Sequence, residues 1–564
     1  MNRNTQSHFA ENPTTLDMSR STFNRPQSIK TSFNVGDIIP FYLDEVLPGD
    51  THTINTSKVV RLQTLLTPFM DNIYLDTYYF FVPMRLTWEH TKEFFGENTK
   101  SAWIPETEYQ IPQVTSPAET GWQVGTIADY MGIPTGVPNI SVSALPFRAY
   151  ALIVNEWFRD QNLTDPLNIP FDDATTLGSN GTNYIEDIVK GGKPFKACKY
   201  FDYFTGALPS PQKGPAVTIG LQSTAVTGNG YSLGLTDGTN YGGISVYGGN
   251  PFVPHINKDV YGKDVGLRRA NNDELPPDKN LGVPTLEQLG AHPEYSGLVA
   301  SGSMTTINEL RQAFQIQKFY EKCARGGTRY IELLKSMFGV TSPDARLQRP
   351  EYLGGNRVPI EVHSVVQSSQ TSTTPQGNVT AMSVTVDNHD DFTHSFTEHG
   401  YIIGLCVARY DHTYQQGIER MWNRKSKFDF YWPLFANLGE QAIKNKEIYA
   451  QGSKAINSAS NTPYDDEVFG YQEAWAEYRY KPNRVSGEMR SQYAQSLDYW
   501  HLADDYDRLP TLSDSWIRED SSNVNRVIAV TDNLANQLFG DFFVHNKTIR
   551  CMPVYSIPGL IDHH

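Results

Sequence analysis

The sequence contains little cysteine, and its few cysteines are scattered. Only four occur among 564 residues, and no two of them are spaced as CxxC or CxxxC. Zinc ribbons and disulfide frameworks are built from closely spaced cysteines, so both classes are excluded. We therefore expect buried, reduced thiols at Cys198, Cys323, Cys406 and Cys551.

Long hydrophobic runs are absent as well. The longest apolar stretches, such as residues 401–408, are far shorter than the roughly 18–20 residues that a membrane-spanning helix needs. Residues 1–30 are polar and lack the apolar segment of a secretion signal. We expect neither membrane insertion nor export by a signal peptide.

The chain has fewer cations than carboxylates. It holds 47 Lys and Arg against 62 Asp and Glu, a formal net charge of −15 at pH 7. Such a molecule has no uniform positive field to attract nucleic acid, so any contact with DNA must come from local clusters of cations. Hydrophobic residues at 39% and aromatic residues at 12% provide for a large core, which excludes disorder of the whole chain.

Recognisable catalytic motifs are missing too, since the sequence contains no GxSxG, GxxxxGK[ST] or HExxH pattern. The densest titratable cluster spans residues 389–399. Its spacing fits no metal-ligand motif, so a solvated turn between two strands is the simpler interpretation. The acidic groups at 465–467 and 504–507 are likewise interpreted as exposed turns rather than as a calcium site or a glycosidase pair. The sequence therefore assigns no catalytic residue, no metal and no cofactor.

The sequence does contain a β-rich pattern interrupted by a few helices. Runs of β-branched and aromatic residues predict strands, and apolar residues at helical spacing predict helices. Several short strands separated by polar turns are typical of a β-sandwich or jelly roll whose connections hold helices and loops. The predicted strands are residues 58–66, 72–82, 358–366, 379–386, 399–410 and 541–556, and the predicted helices are 146–162, 306–325 and 330–338.

Two stretches differ in composition from the rest. Residues 1–36 hold four cations against two carboxylates among many Asn, Ser and Thr, which predicts an extended N-terminal arm. Residues 201–250 contain eleven glycines and few charges. This composition predicts a long surface insertion with small hairpins, for example at 216–220 and 244–247, that contacts something outside the protein.

Residues 420–432 interleave cations with aromatic rings. The mixture suits phosphate neutralisation with base stacking, and it also suits a subunit interface, which is the favoured interpretation. Cations of the arm and near the C-terminus are weaker candidates for contact with DNA. The candidate nucleic-acid residues are Arg3, Arg20, Arg25, Lys30, Arg420, Arg424, Lys425, Lys427, Lys547 and Arg550. The candidate interface residues are Trp157, Phe158, Trp422, Trp432, Trp475 and Tyr478.

Several long blocks of the sequence point to one family. They are SFNVGDIIPFYLDEVLPGDT (32–51), FRAYALIVNEWFRDQN (147–162), ARGGTRYIELLKSMFGVTSPDARLQRPEYLGG (324–355), FGYQEAWAEYRYKPNRVSGEMR (469–490) and the terminal MPVYSIPGLIDHH. With them the chain resembles the major capsid protein of the gokushoviruses, a branch of the Microviridae, which are small single-stranded DNA bacteriophages. The blocks run from the N-terminal region to the last residue, so the resemblance covers essentially the whole chain.

The resemblance implies a fold and an assembly. The fold would be mainly β, an eight-stranded antiparallel viral jelly roll with long helical and loop insertions, in a single domain over residues 37–564. Sixty copies would form a T=1 icosahedral shell, with two-, three- and fivefold contacts, around a circular single-stranded DNA genome. Residues 201–300 would form a threefold protrusion for host attachment, with Tyr231, Tyr241 and Tyr247 as candidate contacts. No enzymatic reaction would be required of such a subunit.

The resemblance also implies partners and a location. The partners would be a small, very basic internal DNA-binding protein, pilot and scaffolding proteins, and a receptor on the host-cell surface. The subunit would belong to the virion and would be assembled in the cytoplasm of a bacterial host.

Two other classes of protein share this composition. A secreted carbohydrate-binding or glycan-degrading β-protein would also be acidic, aromatic and rich in glycine loops. As a glycosidase it would need two carboxylates about 5–9.5 Å apart across a groove and would hydrolyse a chromogenic sugar. A surface adhesin would remain monomeric in producer cells. The length of the resemblance favours the capsid subunit.

Overall fold

The structure, a computed structural model, describes residues 19–98, 108–217, 307–373, 375–452, 455–457 and 462–555, together with four short strands between 225 and 301. The strands are β1 Ser21–Asn24, β2 Gln27–Phe33, β3 Ile39–Val46, β4 Thr51–Leu62, β5 Ile73–Pro83, β6 Gln113–Thr115, β7 Ser141–Ser143, β8 Thr176–Leu177, β9 Ala225–Thr227, β10 Gly234–Thr236, β11 Gly290–His292, β12 Val299–Ser301, β13 Glu351–Gly354, β14 Arg357–Pro359, β15 Val362–Val366, β16 Val379–Ser383, β17 Thr385–Ser395, β18 Gly400–Tyr410, β19 Thr413–Tyr414, β20 Glu440–Lys444, β21 Ile456–Asn457, β22 Thr462–Pro463, β23 Val468–Glu473, β24 Asn483–Arg484 and β25 Leu538–Arg550. The α-helices are α1 Thr91–Phe94, α2 Ile127–Tyr130, α3 Leu145–Ile153, α4 Ile307–Gly326, α5 Tyr330–Leu333, α6 Asn445–Ile448, α7 Asp514–Ile517 and α8 Ser522–Asn525.

Two large antiparallel sheets organise the chain, which confirms the prediction of a mainly β fold. In the first sheet β25 pairs with β4 and β4 with β17, while β1 and β2 both pair with β25. In the second sheet β3 pairs with β18 and β18 with β5, while β13 and β14 both pair with β5. The second half of the segment predicted as an arm, residues 21–33, therefore belongs to the first sheet.

The strand predictions differ in how well they match these sheets. The predicted strands 72–82 and 399–410 match β5 and β18 within one residue at each end. The predicted strand 358–366 is instead divided between β14 and β15, which pair in different sheets. Pro359 ends β14 because proline cannot donate a hydrogen bond to a strand ladder. The predicted strand 379–386 is likewise divided between β16 and β17.

The main core lies between the two large sheets. Every second residue of β4 is buried, which is the pattern of a strand with one face on a core and the other toward solvent. The rings of Phe41 in β3 and Phe542 in β25 stack across the sheets at 4.7 Å, and the hydroxyls of Thr56 and Tyr79 lie 2.6 Å apart. The two sheets are therefore packed face to face.

A second core covers the outer face of the second sheet. Nearly every residue of β18 is buried, because α3 packs where solvent would otherwise be. The Tyr150 hydroxyl of α3 donates a hydrogen bond to the Ile38 carbonyl at 2.7 Å. The helix predicted at 146–162 is shorter, since α3 passes into a π-helical turn at Val154–Phe158 and ends there.

A third core joins the region after β18 to residues near 200. Tyr203 and Phe204 pack with Ile443, Phe469 and Trp516 in this cluster. The first residues of the predicted insertion thus contribute to the interior, although their glycine-rich sequence suggested a surface.

The chain divides into two compact units. One comprises Met1–Gly214 with Tyr320–His564, and the other is Pro215–Phe319. In the second unit β9 pairs with β12 and β10 with β11, both antiparallel.

None of the described helices is long and apolar enough to cross a membrane. Cys323 and Cys406 are buried as expected, Cys198 is only partly buried, and the expectation is wrong for Cys551, which is exposed.

Candidate interaction surface

Residues 420–438 form a fixed, irregular segment after β19. It contains three 3-10 turns, at Arg420–Asn423, Lys427–Asp429 and Pro433–Phe435. The Asp429 carboxylate accepts hydrogen bonds from the amides of Lys425 and Ser426 at 2.7 and 2.6 Å. Pro433 begins the third turn, where the fixed φ angle of proline matches the angle that the first residue of a helix adopts. Local capping therefore holds the segment without help from a sheet.

Two partly buried ion pairs anchor the segment to the body of its unit. Arg420 lies 2.9 Å from Glu447, and Arg424 lies 3.2 Å from Glu477. The Arg424 guanidinium also stacks over the Tyr478 ring at 4.7 Å. Burial alone would lower the pKa of Arg420, but the nearby Glu447 carboxylate outweighs that effect, so the pKa of Arg420 is raised. These two arginines are neutralised inside the subunit, which leaves little of their charge for a phosphate.

The apolar side chains of the segment point outward. Leu434 is 92% exposed, and the Trp432 indole is half exposed while donating to the Lys427 carbonyl at 2.8 Å. We call the exposed side chains of residues 428–438 the aromatic platform. Its members are Phe428, Phe430, Tyr431, Trp432, Leu434 and Leu438. Several large exposed apolar side chains within one short segment are typical of an interaction site.

A cavity of about 500 Å³ lies beside the platform. Its lining includes Arg420, Arg424 and their carboxylate partners, and it continues to the exposed Trp422 and Tyr478. Three further cations line it that the sequence analysis did not single out: Lys481, Arg484 and Arg490. The signal was present, because cations follow Tyr478 and Tyr480 in the same interleaved manner as in residues 420–432.

The remaining candidate nucleic-acid residues are spread over the molecule. Arg25 is paired with Asp44 at 2.5 Å, and Arg550 with Asp50 at 2.5 Å. Lys30 is exposed and lies 3.6 Å from Asp541. The other cations with described positions are exposed, namely Arg20, Lys425, Lys427 and Lys547. Arg3 lies outside the described residues, as do Tyr231, Tyr241 and Tyr247, the candidate attachment residues, and all or most of the hairpins predicted at 216–220 and 244–247.

The candidate interface residues occupy different environments. Trp475 is buried, and its indole donates to the Phe435 carbonyl at 3.0 Å, so it supports the platform from below. Phe158 packs partly buried on the second core. Trp157 is at the surface boundary, where Arg349 stacks over its ring at 4.3 Å. Trp422, Trp432 and Tyr478 are exposed; Trp432 belongs to the platform, and Trp422 and Tyr478 line the cavity.

The predicted turn at 389–399 is wrong for residues 389–395, which lie in β17, whereas residues 396–399 do connect β17 to β18. β17 pairs with β4 along its length, with a bulge between Asp390 and Phe392. Asp391 sits at that bulge, where burial raises the pKa of its carboxyl to about 6. The polar composition of this stretch suggested a turn. In the structure, polar side chains of the strand contact β4 instead, as Asp387 does with the buried Lys58 at 3.2 Å.

The prediction of an exposed turn at 504–507 is wrong for Asp504, which is buried, whereas Asp505 and Asp507 are exposed. His412 Nδ1 lies 2.9 Å from Asp504, and Lys199 Nζ lies 3.6 Å from it. Burial would raise the pKa of Asp504, but these two cations outweigh it and lower the pKa. In the group at 465–467, Asp465 accepts amide hydrogen bonds from Gln451 and Gly452 at 2.8 and 2.7 Å. In the part of the chain that the structure describes, no three His, Cys, Asp or Glu side chains are placed to hold a metal ion.

Comparison with known proteins gives matches over almost the whole chain. The family described as "Capsid protein (F protein)" of phages matches residues 12–560. The capsid protein VP1 of Spiroplasma virus 4 is 42% identical over 557 residues, which cover 96% of this chain and 95% of that protein. The VP1 proteins of Chlamydia phage 1 and Bdellovibrio phage phiMH2K are 41% and 40% identical, covering 98% and 99% of this chain and 98% of each relative.

Proposed function

Because the chain belongs to the phage capsid protein (F protein) family, in its gokushovirus branch of the Microviridae, we propose that it is the subunit of a T=1 shell. Sixty copies would enclose a circular single-stranded DNA genome through two-, three- and fivefold contacts. The structural role itself follows from the family, and it requires no catalysis. The match over residues 12–560 removes the support for a secreted glycan-binding or glycan-degrading protein.

The two large sheets support an eight-stranded jelly roll. Counting β2, β3, β4, β5, β13 with β14, β17, β18 and β25 as strands one to eight, the first sheet has the order 1-8-3-6. The second sheet has the order 2-7-4-5. Consecutive strands thus pass from one sheet to the other except between strands four and five, as two Greek keys folded together require. The long connections after strand four and after strand seven carry the surface features.

The exposed aromatic platform is the observation that best supports a role in self-assembly. Interface cores are depleted in charge and enriched in Tyr, Trp and Phe, and the platform has this composition. Capping and ion pairs hold the backbone that carries these side chains, so little backbone entropy is lost when a neighbour covers them. In the proposed shell the platform contacts a second copy of the chain.

Substitution of an exposed leucine of the platform tests this contact. Leu434 is 92% exposed, so Leu434→Ser leaves the free subunit almost unchanged but places a polar group in the contact. We expect the yield of fast-sedimenting particles, from cells that also express the neighbouring genes, to fall by about tenfold or more. Thermal unfolding of the dissociated subunit should not change.

Leu534→Ser is the matched control, because Leu534 is 83% exposed outside the platform. We expect near-normal particle yield from it. Normal yield from both Leu434→Ser and Trp432→Ala would contradict a platform contact, and loss of particles with Leu534→Ser alone would place the contact elsewhere.

Charge supports the proposed internal partner. Sixty subunits at −15 each carry a total of about −900, before any DNA phosphate is counted. A shell of that charge repels its genome unless cations are concentrated inside, which suits a small, very basic DNA-binding protein. The other proposed partners are pilot and scaffolding proteins and a receptor on the host cell. Assembly would take place in the cytoplasm of the host bacterium. The glycine-rich insertion 201–300 would form the protrusion at the threefold axis that attaches to the host.

A further inference from the structure

The floor of the cavity beside the platform is electrically balanced. Arg420 pairs with Glu447, and Arg424 pairs with Glu477, so the two positive and two negative charges cancel. Nε of Arg424 is buried and has no hydrogen-bond partner among the described residues. Oε2 of Glu477 is likewise buried without a hydrogen-bond partner among the described residues, so the floor favours a ligand that brings both an acceptor and a donor.

The walls of the cavity are aromatic at two depths. Tyr203, Phe204 and Tyr414 form the deep part and belong to the third core. Trp422 and Tyr478 form the outer part, where the Trp422 side chain is 72% exposed. Flat, exposed rings at the mouth of a cavity provide stacking surfaces for another planar ring.

The rim is positively charged. Lys481 and Arg484 share a single carboxylate, Glu419, at 2.5 and 3.3 Å, and both cations remain mostly exposed. Arg490 is exposed and donates to the neutral Gln415 carbonyl at 2.5 Å, and within the described residues it forms no ion pair. Three cations against one carboxylate leave an excess of two positive charges at the opening, in a chain whose overall charge is −15.

From a balanced floor, aromatic walls and a cationic rim we infer that this cavity binds one nucleotide of a single-stranded nucleic acid. The base stacks on Trp422 or Tyr478, and the adjacent phosphate lies at Arg484 and its neighbouring cations. The volume of about 500 Å³ is within the range of small-ligand sites. An uncharged apolar side chain from a protein partner would use the walls but leave the cationic rim without a counter-charge.

The inference rests on the proposed shell, because an enclosed genome would supply the strand. The same chemistry could also come from a free nucleotide. A strand offers several phosphates to the rim, whereas a mononucleotide offers one, so the two sources differ in affinity and in salt dependence.

Binding of a fluorescently labelled octathymidylate to the full-length dissociated subunit tests the inference, with unlabelled dTMP as competitor. We expect Tyr478→Leu to weaken binding about tenfold through lost stacking. Arg484→Gln should weaken it and lower the slope of log affinity against log salt by about 0.7, the change expected for one lost phosphate contact. A merely structural role of Arg484 would leave that slope unchanged.

Arg61→Gln is the matched control, since Arg61 is an exposed arginine on β4 outside the cavity. It should leave both affinity and slope unchanged. Equal effects of Arg61→Gln and Arg484→Gln, or photo-crosslinks from bromodeoxyuridine that avoid Trp422 and Tyr478, would overturn the site. Competition by dTMP as strong as by the unlabelled strand would show a free-nucleotide site in place of a strand site.

Particle formation is scored separately by sedimentation of the same variants. Normal particles from Arg484→Gln with weakened binding are the expected result. Failure of the wild-type chain to form particles would count against the shell, whereas normal particles without oligonucleotide binding would count against the cavity alone.

Discussion

His412 lies between two buried carboxylates. Its Nδ1 is 2.9 Å from Asp504 and its Nε2 is 2.9 Å from Glu519. Burial alone would lower the pKa of His412, but the two carboxylates outweigh it and raise the pKa to about 9. The imidazole is therefore charged in the folded chain at neutral pH. Its two contacts connect the chain just after β18 to Asp504 and Glu519, which precede β25.

We expect this network to make stability depend on pH. The pKa of His412 is 6.5 in the unfolded chain and about 9 in the folded chain, so the folded state binds the extra proton between these values. The stabilisation is complete below pH 6.5 and is lost as the pH rises through 9. The loss should be about 3 kcal/mol, measurable by thermal unfolding of dissociated subunits at pH 6, 7.5 and 9.5.

Two variants separate His412 from the other titrating groups. Glu519→Gln removes one of its two carboxylates, so the fall in stability should move to lower pH. His363→Gln removes an exposed histidine and should leave the profile unchanged. A wild-type profile that is flat from pH 6 to 9.5 would refute the charged imidazole.

The fate of single cations shows why the residues of a site are hard to predict from sequence. Arg25, Arg420 and Arg550 looked like candidates for DNA contact, but each is paired with a carboxylate of its own subunit. Their partners Asp44, Glu447 and Asp50 lie 19, 27 and 500 positions away along the chain. Sequence shows a cation, whereas its free charge depends on contacts that only the fold creates.

At the scale of elements, the passage from β13 to β14 depends on Gly355. Its φ is +147°, and a Cβ there would lie 2.0 Å from the Thr77 carbonyl oxygen of β5. Both strands pair with β5, and the Asn356 carbonyl between them accepts a hydrogen bond from the Thr77 amide at 2.9 Å, so the connecting backbone runs close beside that strand. Only a residue without a side chain fits this approach.

We expect Gly355→Ala to destabilise the subunit by about 3 kcal/mol or more, because the added methyl group forces β14 away from β5. Gly377→Ala is the matched control, since Gly377 also has a positive φ, +86°, but open space around it. Its cost should be only about 1 kcal/mol. Chemical denaturation of the two variants measures the difference, and equal costs would mean that close approach to β5 is not the constraint.

A strand could be predicted from the sequence where all of its residues have the same kind of surroundings. β18 has apolar residues on both faces, and its sequence is nearly continuous in apolar residues. The break between β14 and β15 was missed because both strands have the same β-rich composition, and only their partners differ. The polar strand β17 was missed over most of its length because its hydrogen bonds go to β4, more than 300 positions earlier.

At the scale of the whole molecule, the glycine-rich insertion should be separable from shell formation. The second compact unit begins at Pro215, whereas residues before it belong to the first. We expect that replacing residues 218–248 with a short Gly-Ser linker preserves particle formation and abolishes attachment to host cells. Sedimentation and adsorption assays measure the two properties, and a variant that forms no particles would show that the insertion is needed for assembly.

Cryo-electron microscopy of nuclease-treated, fast-sedimenting material tests the shell most directly. The material should come from cells that express this chain with its neighbouring genes, so that any scaffolding proteins are present. We expect closed icosahedral particles of sixty subunits that protrude on the threefold axes, bury the aromatic platform between copies and protect single-stranded DNA. A chain that stays a small soluble species beside fully expressed partners would contradict the proposed shell.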